Sequence, residues 1–192
     1  MGTHFFLAIP LEAKLKQEIG DWTSQPQLKE KLNFKKWVHP EDYHITLSFL
    51  GFAEKERLEN LQNKLKPLLL SHKYFSLEVT NLGVFGKESN PRILWIDIDK
   101  EERLFELQKT VASACRSVGF ELEKRPYRPH VTIARKWGNQ EPFSRSLLEE
   151  RITEKNTRWN ANEVILFQTH MDKAPKYEAI FRFPLGKDGE ET

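Results

Sequence analysis

Two short stretches carry residue types suited to proton transfer: His44-Ile45-Thr46 and His130-Val131-Thr132, one in each half of a 192-residue chain. An imidazole titrates near pH 6.5, so it can give or take a proton close to neutrality. A threonine hydroxyl can donate to a phosphoryl oxygen. Two such pairs facing one cleft would surround a tetrahedral phosphate. One neutral imidazole would deprotonate an attacking water, and one protonated imidazole would protonate the leaving oxygen. Each transfer is worth about 10²- to 10⁴-fold in rate. If hydroxyls and a cation bear the phosphoryl charge, this chemistry needs no metal. A single His-x-Thr carries almost no information, whereas two copies on amphipathic strands carry a good deal more.

The chemistry requires strands. Side chains two apart share a strand face. Alternation therefore predicts His44, Thr46 and Ser48 on one face, with Ile45, Leu47 and Phe49 turned into a core. His130 and Thr132 share a face in the same way, opposite Val131 and Ile133. Arg128 lies two before His130 and falls on its side, although Pro129 interrupts the pattern. Arg135 has the opposite parity and reaches a phosphate only if the strand bends. Trp37, Phe85 and Tyr127 are candidates to stack a base.

Around these strands the spacing predicts further elements. Thr3–Ile9 reads as a buried strand, and Leu11, Leu15 and Ile19 start a helical stripe broken near Pro26. Trp37–Pro40 reads as a strand end or turn, and Tyr43–Leu50 as a strand ended by Gly51. Glu54–Leu70 is a helix with Leu58, Leu61, Leu65 and Leu68 inward. Tyr74–Val79 is a strand, Gly83–Pro91 a turn-rich segment, and Arg92–Asp99 a strand. A stripe from Leu104 to Val118 is a helix stopped by Gly119. His130–Ala134 is a strand, Gly138–Pro142 a loop, Phe143–Ile152 a short polar helix, and Ala161–Met171 with Tyr177–Leu185 a closing pair of strands. The tail after Gly186 is expected to fray. Strands and helices mix without strict alternation, which points to an α+β fold.

Composition narrows the class. Hydrophobic residues make up 39% and charged residues 30%, with a net charge of +2, as in an ordinary globular protein. No apolar run is long enough for a membrane helix. The start reads as no signal peptide. One cysteine, Cys115, lies on an apolar helical stripe and reads as core filler. A cytoplasmic protein is expected. A zinc site built on His44 and His130 is the competing reading of the histidines, but no compact ligand cluster supports it. His4, His39, His72 and His170 read as non-catalytic, with His4 and His170 in strand-like settings that suit structural residues.

The two motifs in their settings resemble the two-histidine phosphoesterases, and among them the RNA 2′,3′-cyclic phosphodiesterases, also called 2′-5′ RNA ligases. The resemblance rests on Lys36-Trp37-Val38-His39-Pro40 leading into His44-Ile45-Thr46-Leu47-Ser48-Phe49-Leu50-Gly51, and on Pro129-His130-Val131-Thr132-Ile133-Ala134-Arg135. Phe5–Pro10, Gly83-Val84-Phe85 before Pro91-Arg92-Ile93-Leu94-Trp95, and Tyr177–Leu185 extend it over nearly the whole chain. Ile133 stands where leucine is usual, and Gly86 where proline is common.

The resemblance implies one two-lobed α+β domain over residues 1–192, with pseudo-symmetric antiparallel sheets lining a central cleft and helices outside. It implies hydrolysis of RNA 2′,3′-cyclic ends, or of nucleoside cyclic phosphates, to 2′-phosphates. His44 would be the proton donor and His130 the acceptor. Thr46, Thr132, Arg128 and Arg135 would hold the substrate. No metal or other cofactor is implied, no membrane partner, and a monomer is expected. Reverse 2′-5′ ligation would use the same pair. Two alternatives keep the site: another cyclic nucleotide-type phosphodiester as substrate, or an RNA-end binding module without turnover.

Overall fold

A computed structural model describes residues 3–149 and 158–187. The secondary structure is α+β, as the mixed pattern predicts. Strand β1 (His4–Pro10) leads to helices α1 (Ala13–Thr23) and α2 (Pro26–Lys31), then to β2 (Phe34–Trp37) and β3 (His44–Phe52). Helix α3 (Lys55–Leu70) precedes the hairpin β4 (Phe75–Lys87) and β5 (Asn90–Ile98), and α4 (Glu102–Ser117) precedes β6 (His130–Trp137). Strands β7 (Arg158–Ala161), β8 (Glu163–Thr169) and β9 (Tyr177–Pro184) complete the described chain.

The strands form one antiparallel path, β7-β4-β5-β6-β3-β1-β8-β9, with β2 beside β6. At its centre β3 meets β6 through a single residue pair, Ile45↔Val131. Both residues are fully buried. The sheet therefore has two halves, each ending in one His-x-Thr strand. The halves share a plan: helices stand between the neighbouring antiparallel strands β1 and β3, as α4 does between β5 and β6, though the first connection also holds β2, which pairs with β6. One face of the sheet carries Leu7, Ile9, Ile45, Leu94, Ile96 and Val131 into a core shared with α3 and α4 residues such as Leu61, Leu65, Leu107 and Val111. The other face carries the two motifs.

Several boundaries differ from expectation for local reasons. Pro26 opens α2 at a first-turn position, where a missing N–H costs nothing, so it does not merely break the chain. Gly51 lies inside β3 at φ +69° and does not end it. In α3 the inward residue is Leu69, whereas Leu68 is 37% exposed. Gly83–Lys87 is strand, not turn; the reversal is confined to Glu88 and Ser89. Phe34–Trp37 is a full strand rather than a strand end. The expected helix at Phe143–Ile152 is a 3₁₀ turn over Arg145–Glu149, with Phe143 and Ser144 ahead of it in irregular chain; residues 150–152 lie outside the described residues, as does most of the tail after Gly186. No described helix is long and apolar enough to cross a membrane.

Candidate active site

The site begins at the Ile45↔Val131 pair, because each motif straddles it: the antiparallel register sets His44 against Thr132 and Thr46 against His130. Both strands then bulge in the same way. In β3, Thr46 faces Ala8 but Ser48 faces Leu7, leaving Leu47 as the extra residue. In β6, Thr132 faces Trp95 but Ala134 faces Leu94, leaving Ile133 as the extra residue. A bulge reverses parity beyond it. This corrects the alternation prediction at three residues. Ser48 is buried in the core, against the Cys115 thiol, which burial pushes up to about 12. Phe49 takes the motif face. Arg135 joins His130 and Thr132 on the cleft side, paired across from Lys36 on β2.

The two histidines are held alike. The Nδ1–H of His44 donates to the Asp42 carbonyl at 2.7 Å, and that of His130 to the Arg128 carbonyl at 2.8 Å. A carbonyl only accepts, so the proton of each neutral imidazole is on Nδ1 and the basic lone pair is on Nε2. At His44 that Nε2 stands 3.0 Å from Thr46 Oγ1, whose hydroxyl donates to it. Aromatic edges fix both rings: Tyr177 packs against His44 at 5.2 Å and 86°, and Phe85 against His130 at 4.9 Å and 85°. Phe6 and Phe167 complete the wall beside His44, and Trp95 the wall beside His130. Trp95 in turn lies against Gly83, where any Cβ would sit 2.2 Å from the indole ring.

Positive charge surrounds the pair. Burial lowers the His44 pKa to about 4; the Asp42 carbonyl opposes the shift, while His130, Arg135 and Lys16 add to it. Burial also lowers that of His130, with Arg128 and Arg135 acting the same way and Asp97 against. Arg135 acts on both imidazoles and hydrogen-bonds the Tyr177 hydroxyl. The Arg128 guanidinium stacks on Trp95 at 4.5 Å and on Phe85 at 5.6 Å.

All six candidate residues thus fall on one face. Of the expected base-stacking residues, Phe85 is there. Trp37 is not: it pairs with Ala134 on the opposite face. Tyr127 is not either, since it packs on Phe105 with its hydroxyl buried. Sequence reasoning missed Asp42. Its buried carboxylate accepts the N–H groups of Lys176 and Tyr177 at 2.9–3.1 Å, tying β9 to the turn whose carbonyl holds His44. The available signal was a carboxylate two residues before a motif histidine. His39 caps the turn at Glu41, His72 meets Thr110, and His170 pairs with Glu178.

A sheet in two like halves, joined where paired His-x-Thr strands meet, defines the two-histidine phosphoesterase class. A model of the 2′-5′ RNA ligase superfamily matches residues 11–173. An RNA 2′,3′-cyclic phosphodiesterase of Geobacillus stearothermophilus is 39% identical over 98% of this chain, which spans 60% of that protein. One of Bacillus subtilis is 35% identical over 95% of this chain and 96% of its own length. The crystal structure of Escherichia coli LigT with 3′-AMP superposes with a TM-score of 0.75 at 20% identity, covering 96% of this chain and 99% of that one. This chain belongs to the 2′-5′ RNA ligase superfamily.

Proposed function

We propose that this chain hydrolyses RNA 2′,3′-cyclic phosphodiester ends to 2′-phosphates, with His44 and His130 as the acid–base pair. The reaction is the one its relatives are named for, including one that it spans almost completely. One observation carries the assignment of residues: two imidazoles with matching Nδ1–carbonyl hydrogen bonds on strands whose ladder is the pair Ile45↔Val131. Each Nε2 faces away from its carbonyl, that of His44 toward the Thr46 hydroxyl, with which a bound phosphate would compete.

In this reading His130 Nε2 takes a proton from water as the water oxygen bonds to phosphorus. The P–O3′ bond breaks, and O3′ takes the proton carried on His44 Nε2. Thr46, Thr132 and Arg135 hold the phosphoryl oxygens, and Arg128 on its Trp95 platform extends the positive rim. The protein's own groups lower both imidazole pKa values, that of His44 to about 4. His44 therefore gains its proton only when the anionic phosphate lies beside it. The reverse reaction would join RNA ends through a 2′-5′ bond with the same pair. The described residues of the two halves share one core, which supports a single two-lobed domain.

The test is product analysis on a dinucleotide ending in a 2′,3′-cyclic phosphate, with excess chelator present. A 2′-phosphate product that forms in chelator supports the proposal. A 3′-phosphate product, or turnover that needs added metal, contradicts it.

A further inference from the structure

Strand β3 bulges twice. Its nine residues run beside the seven of β1, with Leu47 and Leu50 as the extra residues. The pairings Pro10↔His44, Ala8↔Thr46, Phe6↔Phe49 and His4↔Phe52 then put His44, Thr46, Phe49 and Phe52 on one face. A regular strand would have turned Phe49 into the core and set Phe52 with His44 and Thr46. Bulges are recurrent devices for re-aiming side chains beside active sites.

Phe49 is 56% exposed and Phe52 62% exposed, two large apolar rings open to water beside a polar cleft. His4 meets Phe49 edge-on at 5.7 Å, lengthening the ring surface. Counted along the unbulged β1, Phe49 lies four residues from His44, or about 13 Å. The patch thus lies on the face of the two motifs but beyond the reach of the reacting phosphate. Exposed rings beside a phosphate site match the chemistry of single-stranded nucleic acid, whose bases stack on aromatic faces with little sequence preference.

We propose that Phe49 and Phe52 form a stacking subsite for nucleobases upstream of the cyclic end, so that the natural substrate is an oligoribonucleotide rather than a mononucleotide. This rests on the proposed reaction, and the test separates the two. Turnover of a mononucleoside 2′,3′-cyclic phosphate is compared with that of a tetranucleotide bearing the same end. The proteins are wild type, Phe49→Leu/Phe52→Ser and Phe49→Trp. Binding of the tetranucleotide 2′-phosphate is followed by fluorescence anisotropy.

The expected result is an about tenfold or greater loss of kcat/KM and affinity for the tetranucleotide in the double variant. The mononucleotide rate should be unchanged, and Phe49→Trp should retain tetranucleotide preference. Equal effects on both substrates, or no effect on either, would overturn the subsite. So would a concentration-dependent dimer in sedimentation that the double variant abolishes, because the rings would then serve a second copy of the chain. If neither substrate turns over, the reaction assignment fails, and the anisotropy arm still decides the subsite.

Discussion

The two imidazoles are readable from sequence because alternation holds for the three residues of each motif. It fails one residue later, at Leu47 and Ile133, because a bulge has no signature in residue type. Arg135 reaches the motif face only because of that bulge, and its charge acts on both histidines. Replacing it by glutamine removes a cation that lowers both imidazole pKa values. Both should rise, moving the limbs of the kcat/KM profile to higher pH, with kcat/KM falling about 10- to 100-fold as a charged hydrogen bond is lost. Histidine Cε1–H titration by NMR checks the direction independently of turnover. In the wild type the alkaline limb of kcat should lie above that of kcat/KM, because bound phosphate favours the imidazolium. His44 also affects stability. The unfolded chain binds its proton near pH 6.5 and the folded chain near 4, so between these values the unfolded state holds more protons. Stability should therefore fall as pH drops from 6.5 to 4, by about 3 kcal/mol from this residue. His44→Gln should flatten the melting temperature against pH in that window.

At the scale of elements, long apolar runs and leucine stripes were legible because burial imposes their period. The path of β4 through Gly83-Val84-Phe85-Gly86 was not, since glycine reads as a turn residue. Here Gly83 serves close approach: the Trp95 ring lies where its side chain would be. Gly83→Ala should push Trp95 off β4, displacing the Arg128 stack and the wall behind His130. A rise in KM and a tenfold or greater loss of kcat/KM are expected, with a loss of about 1–3 kcal/mol in stability. Denaturant unfolding alongside steady-state kinetics would separate the two effects. Asp42 was passed over because a carboxylate beside a histidine is common. It became visible only once β9 was seen to pack against that turn. Asp42→Ala leaves the Lys176 and Tyr177 N–H groups unpaired, which costs about 1–3 kcal/mol.

At the scale of the whole molecule, the repeat of His-x-Thr foreshadowed two halves. The way they join was beyond sequence: one residue pair in the middle of the sheet. At that pair the two motifs come side by side, while the shared core beneath holds their relative position. Ile45→Ala removes buried volume at that pair, and a loss of about 2–5 kcal/mol is expected, with both histidines displaced together. Calorimetry should show one cooperative transition in the wild type, with equal calorimetric and van't Hoff enthalpies. The most direct test of the central claim is the comparison of His44→Ala and His130→Ala with wild type on an RNA 2′,3′-cyclic end, measuring kcat and product affinity together. The acid–base pair predicts that each variant loses about 10²-fold or more in kcat while affinity for the 2′-phosphate product changes little. Retained turnover in either variant, or loss confined to affinity, would contradict it.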